Sequence, residues 1–286
     1  MDLFSELENL GFSGLDNLEI YTEEEKKSSS SVVQEEVHIK TPDELEEDYI
    51  YDKSYTCPVC DHDFKSKTMK SNKAKFLNTD IDLRPLYQHI DSVKYDVVAC
   101  PRCGYAALTR SFGPMTSMQI RKIKEEVSSH YYKNPVNLKT YSYEEAIERG
   151  KLALLTAVVK PASDSEKGYI CLKIAWLYRG WAEYVQEEDS EGAEFYREKE
   201  AVFLKKAYEG MVSARKKESF PICGMDEVTF DYMLAALAYE TDAFEVSAKL
   251  IGEILVHPKA NSRIKDKTRE LKNLLKQAVI QKREKK

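Results

Sequence analysis

The chain has 286 residues, of which 42% are hydrophobic, 32% charged and 10% aromatic; this excludes a fibrous or wholly disordered polymer and allows one large or two small domains with a buried core. No apolar run approaches the ~18 residues that cross a bilayer, and Met1 to Leu10 is acidic where a secretory signal would be basic and apolar, so a cytoplasmic protein with no membrane contact is expected. The net charge of −6 divides unevenly: residues 1–50 hold fifteen Asp and Glu against three Lys, a balance of −12 that leaves +6 for the rest.

Residues 1–50 are poor in large apolar side chains beyond Tyr21 and contain the serine run Ser28 to Ser31. Such a segment cannot bury enough surface to offset its ordering entropy, and it reads as a largely disordered acidic tail. Inside it, "LFSELENLGF" sets Leu3, Phe4, Leu7 and Leu10 at helical spacing, which suits a frayed helix or a docking motif for a groove.

Residues 51–112 use a different alphabet, rich in Tyr, Val, Cys, Asp and Lys. "DKSYTCP" and "KYDVVACP" each read as a strand that runs into a cysteine turn, and together they predict a small β-rich, zinc-ribbon-like module. The turns are "TCPVCDHDF" and "ACPRCGY". Each C-x2-C presents two sulfurs to one tetrahedral ion, so Cys57, Cys60, Cys100 and Cys103 are candidate ligands of a structural Zn2+. Pro58 and Pro101 stiffen the turns, while Asp61 and Gly104 occupy a position that needs a left-handed backbone.

Iron uses the same paired turns, so the metal is open between zinc and iron. A catalytic dithiol needs one pair only, and a catalytic zinc keeps one position free of protein ligands; two matched pairs argue against both. His62 could replace a cysteine, although a solvated turn histidine is favoured.

Between the turns, "KSKTMKSNKAKF" carries Lys65, Lys67, Lys70, Lys73 and Lys75 without an acidic residue. Cations beside an aromatic ring suit contact with nucleic acid, and a solvated hairpin whose lysines offset the thiolate charge is the plainer alternative. Asp80 and Asp82 in "NTDIDLRP" could form a carboxylate pair for acid-base chemistry. The favoured expectation is that they cap a short helix starting near Arg84 and pair with lysines. With no Gly-rich phosphate loop and no nucleophile set, an enzyme is not expected.

"FGPM" at Phe112 to Met115 ends the module, and residues 113–286 read as helix. Thr116 to Tyr132 is a charged helix closed by "KNP". Ser142 caps the next, with Glu145 three residues on, and Ala146, Gly150, Ala153 and Ala157 form a stripe of small residues for close helix approach. Ser163 to Val185 lines up Ile170, Ile174, Leu177, Trp181 and Tyr184; Glu194 to Lys217 lines up Leu204, Ala207, Tyr208 and Met211. Cys171 reads as a small buried hydrophobe. After "FPICGMDE", two shorter helices and a last basic one complete the chain. Consecutive amphipathic helices with short breaks predict an α-helical hairpin array, and "WLYRGWAEY" and "YMLAALAYETDAFEVSAKLIGEILVHP" resemble degenerate tetratricopeptide repeats. The fold class is therefore α+β, mostly α, with an array suited to binding a protein or peptide in its groove.

Taken together, "CPVC", "NTDIDLRPLY", "YDVVACPRCGYAA" and "FPICGMDE" resemble a bacterial family catalogued as domain of unknown function 2225, from about Tyr51 to Pro258. The resemblance implies the same order of a paired-cysteine module before tetratricopeptide-like helices, and metal ligands at Cys57, Cys60, Cys100 and Cys103. It implies no activity, and it does not make Cys223 a ligand.

Overall fold

The computed structural model describes residues 42–132 and 138–284. The helical pattern of Leu3 to Leu10 and the "KNP" stop lie outside the described residues. Among the described residues of the segment expected as largely tail, α1 spans Pro42–Glu47, and β1 begins at its end, running Ile50–Thr56. Composition alone does not show that one of its carboxylates is matched. Glu46 is buried, its carboxylate 2.6 Å from the Lys94 ammonium and accepting the Tyr95 hydroxyl at 2.8 Å.

Three two-stranded antiparallel sheets follow: β1 with β2 (Asp63–Met69), β3 (Phe76–Thr79) with β4 (Pro85–Tyr87), and β5 (Val97–Ala99) with β6 (Ala106–Leu108). The register brings Thr56 opposite Asp63 and Ala99 opposite Ala106, so each cysteine turn is the tip of a hairpin. α2 covers Ser117–Ile123 behind a full capping box of Thr116 and Gln119, and one π-helical stretch continues it through Lys124–Ser128.

α3 (Tyr143–Val159), α4 (Asp164–Val185), α5 (Ser190–Lys217), α6 (Glu227–Glu240), α7 (Phe244–Val256) and α8 (Ser262–Glu284) follow, and short 3-10 turns lie at Ser92–Tyr95 and Thr109–Ser111. Each of these helices packs on the next. The Ser142 hydroxyl accepts the Glu145 amide at α3, and Ser163 accepts the Glu166 amide at α4. The small stripe of α3 admits α4 closely: a Cβ on Gly150 would stand 2.8 Å from Ile174.

α4 is the central helix. Sequence spacing assigned it one apolar face, yet Leu172, Lys173, Ala175 and Trp176 are buried as well, because α3 and α5 clasp it from two sides. At the crossing with α5, Gly168 and Gly210 touch backbone to backbone. Cys171 is buried, and its apolar surroundings push the thiol up to about 11. α6, α7 and α8 share a second core of Tyr232, Ile251, Ile254, Leu271 and Leu275, each worth about 1.5–3 kcal/mol of burial for its larger side chains. Residues Lys40–Lys286 form one compact unit, and Val97, Ala106 and Leu108 pack in the same core as α3 to α6. Among the described residues, no helix is long and apolar enough to cross a membrane.

Candidate metal centre

Two hairpin tips converge from distant parts of the sequence, and they are built alike. In the first, the Cys57 amide donates to the His62 carbonyl at 3.0 Å and the Asp61 amide donates to the Cys57 carbonyl at 2.9 Å. In the second, the Cys100 amide donates to the Tyr105 carbonyl at 2.8 Å and the Gly104 amide to the Cys100 carbonyl at 3.1 Å. Asp61 and Gly104 take φ of 55° and 72°, the left-handed position expected from the turn chemistry.

This repeated turn aims four sulfurs at one point. Cys57 Sγ lies 3.6 Å from Cys103 Sγ, Cys60 Sγ lies 3.7 Å from Cys100 Sγ, and all four fall within 4.8 Å of one another. A disulfide would need about 2.05 Å, so these are free thiols. A tetrahedral ion with arms of about 2.3 Å requires sulfur separations of about 3.8 Å, close to those of the Cys57–Cys103 and Cys60–Cys100 pairs.

Contacts within the cluster set the thiols apart: hydrogen bonds with Cys103 and Cys57 lower the Cys100 thiol, while the contact with Cys100 raises Cys57 and Cys103. A cation bound by all four would displace their protons. The centre is also largely enclosed, with Cys60 half-buried. Cys57 and Cys100 are fully buried, in a cluster with Val59, Tyr105, Ile123, Val127 and Val159. Phe112 is the aromatic hub of this shell, with ring centroids 5.6 Å from Tyr55, 6.0 Å from Phe64 and 5.0 Å from Tyr105.

The family described as "Uncharacterized protein conserved in bacteria (DUF2225)" matches residues 50–275. The chain belongs to it. No curated protein and no solved structure matches this DUF2225 chain.

In this DUF2225 member His62 stands aside from the sulfurs and lies near-parallel to the Phe64 ring, 6.3 Å between centroids. Cys223 is remote from the cluster and points its thiol at the Ser165 carbonyl, 3.4 Å away. The five lysines do not gather at the metal end. Lys67 pairs with Asp52 at 2.8 Å, the Lys70 ammonium donates to the Asp48 carbonyl at 3.2 Å, and Lys73 lies 5.3 Å over the Tyr49 ring. Lys65 and Lys75 are exposed.

Asp80 and Asp82 correct the expectation of a helix cap paired with lysines. No helix starts at Arg84, and the partners are arginines and a tryptophan. Asp82 is fully buried, accepts the Trp176 indole N–H at 2.6 Å and faces Arg179 at 3.0 Å. Arg179 also reaches Asp80, Glu200 and Glu240, while Arg84 reaches Asp80, Asp91 and Glu183. The network ties the segment between the hairpins to α4, α5 and α6. Sequence reasoning missed it because its members lie about a hundred residues apart. The one available signal was the pairing of two aspartates with an arginine in "NTDIDLRP" and a second arginine in "WLYRGW".

Proposed function

We propose that this DUF2225 member is a non-catalytic scaffold, in which a structural Zn2+ held by Cys57, Cys60, Cys100 and Cys103 fastens two hairpins to a helical array that binds a protein or peptide. The observation that carries this reading is the closed set of four sulfurs, three buried and that of Cys60 half-buried: four thiolates fill a tetrahedral ion and leave no position for a substrate. The α6–α7 hairpin, two helices of 14 and 13 residues joined by three residues, has the dimensions of a tetratricopeptide unit and supports a repeat-like array. Free thiols poised for metal suit a reducing compartment, and the cytoplasm is the place this reading assigns.

Purification of the native chain under mild reduction, with metal analysis and partner identification on the same sample, tests the proposal. One zinc per chain and a stoichiometric partner protein are expected. One iron per chain would redirect the site toward electron transfer.

The alternative, contact with nucleic acid through Lys65, Lys67, Lys70, Lys73 and Lys75, rests on the three exposed lysines, Lys65, Lys73 and Lys75, of which Lys73 also lies over the Tyr49 ring; Lys67 and Lys70 are engaged within the chain. Salt-dependent RNA or DNA binding that disappears when the five become glutamate would favour it.

A further inference from the structure

Away from the sulfurs, α1, the segment after β4, and the facing parts of α3 and α4 enclose a cleft of about 430 Å³, a size suited to a small ligand group. Its walls are aromatic. Tyr143 and Trp181 face each other at an interplanar angle of 12° with centroids 6.5 Å apart, and Tyr184 stands 6.1 Å from Tyr143 at 50°. Trp181 is backed in turn by Tyr196, with ring centroids 4.0 Å apart, so its orientation is fixed before any ligand arrives.

The polar part of the lining is acidic. Glu46, Asp91 and Glu144 contribute three carboxylates against the ammonium of Lys94 and the imidazole of His89. Behind Asp91 lies the network already described, in which Asp80, Asp82, Glu183 and Glu200 outnumber Arg84 and Arg179. Glu144, in the first turn of α3, offsets the partial positive charge of that helix end. Lys94 shows how the walls use a cation: its ammonium sits 5.2 Å over the Tyr143 ring while bound to Glu46. Ring faces and surplus carboxylates attract the same kind of group, an organic cation, whose apolar stem suits the rings and whose charge suits the acids.

We propose that this cleft binds the cationic side chain, lysine or arginine, of a peptide partner. A peptide is favoured over a free amine because the Tyr184 side of the cleft opens to solvent, that ring being 63% exposed, which leaves room for a main chain to continue past it. The inference rests on the scaffold reading and supplies the chemistry of the partner's anchor.

The test follows the Trp181 indole N–H resonance of the full, metal-loaded chain at fixed ionic strength, while N-acetyl-lysine methylamide, N-acetyl-arginine methylamide, spermidine and the uncharged N-acetyl-norleucine methylamide are added. A saturable shift with the two basic amides and none with norleucine is expected, weakened at least tenfold by Tyr184→Ala and by Glu144→Lys, both exposed positions whose folding is checked by circular dichroism. Equal response to norleucine, or no response to any cation, overturns the site. A second arm compares the lysine amide with lysine in the middle of a nine-residue alanine-glycine peptide. Tighter binding by the peptide supports the proposal; spermidine binding more tightly than the peptide overturns it in favour of a free amine. Should a partner protein be identified, its retention by the Tyr184→Ala and Glu144→Lys variants would sink the cleft and leave the scaffold standing, whereas cation binding without any partner would do the reverse.

Discussion

The Trp176 indole N–H donates to the Asp82 carboxylate at 2.6 Å, joining the turn between β3 and β4 to α4, which α3 and α5 clasp. Arg179, one turn further along α4, faces the same carboxylate at 3.0 Å. Asp82→Ala would strand the buried Trp176 indole N–H and take one of four carboxylates from Arg179, which keeps Asp80, Glu200 and Glu240; an unsatisfied buried donor plus a lost charged hydrogen bond should cost about 3–5 kcal/mol. Trp176→Phe removes a single hydrogen bond to a charged group and should cost less, about 1.5–3 kcal/mol. Urea denaturation, read as a lower midpoint at unchanged slope, ranks the two.

Glu240 sets a pH dependence opposite to that of an ordinary paired carboxylate. Burial, and then the nearby Asp82 charge, hold it well above its ordinary value of 4.5, against the pull of Arg179. From pH 4.5 upward the folded chain keeps a proton that the unfolded chain has lost. This contribution is therefore present at low pH and lost as pH rises toward the raised value. Glu240→Gln keeps an oxygen for Arg179 without the titration. Its stability-against-pH curve should be flatter than the parent's above pH 4.5, and parallel curves would refute the assignment.

The two metal turns differ in what they tolerate. Gly104 is left-handed at φ 72°, and a Cβ there would stand 2.5 Å from the Tyr131 ring, so Gly104→Ala should lower metal affinity and stability by more than the ~1 kcal/mol of the backbone term alone. Asp61 is exposed with the same backbone sign, and Asp61→Gly should be accepted with no loss of metal. Competition with a chromogenic chelator measures both.

Glycine-to-alanine changes in helices separate packing from propensity. At Gly210 a Cβ would meet the Gly168 Cα at 2.8 Å, and Gly210→Ala should destabilise by about 1–3 kcal/mol. At Gly252 nothing lies within 4 Å, and Gly252→Ala should stabilise by about 0.5–1 kcal/mol. Thermal unfolding of the pair should move in opposite directions.

Chelation should act beyond the sulfurs. Ile123, Val127 and Val159 share the cluster around Cys57 and Cys100, so hydrogen exchange should accelerate in both hairpin tips and in residues 117–128. The core of α6 to α8 does not touch that cluster and should retain its protection. Uniform loss of protection along the whole chain would contradict this division.

The cysteine turns were legible because their chemistry is local. Two thiols, a proline and a residue that tolerates a left-handed backbone within five positions specify a hairpin tip, and both tips formed where expected with Asp61 and Gly104 left-handed. Helices α3 to α8 were legible from caps and periodicity, as at Ser142 and Ser163. What escaped was long-range. The mates of Asp82 lie 94 and 97 residues ahead, and spacing within a helix says nothing about which acidic side chain will cross to meet Arg179. Glu46 was assigned to a tail for the same reason, since its partner Lys94 is 48 residues away.

Cys60 and Cys100 lie 40 residues apart, and an ion holding both turns that interval into a closed ring of chain. In a disordered ensemble a cross-link of this span removes freedom worth roughly 4 kcal/mol, by analogy with a covalent bridge. The ring contains Asp80, Asp82 and Arg84, which are fastened to α4 and its neighbours. Its slack is thereby divided into two short arcs, each anchored at both ends. Loosening either anchor would restore one long arc, so metal affinity and the integrity of the arginine network are thermodynamically joined through chain entropy, with no contact between them required.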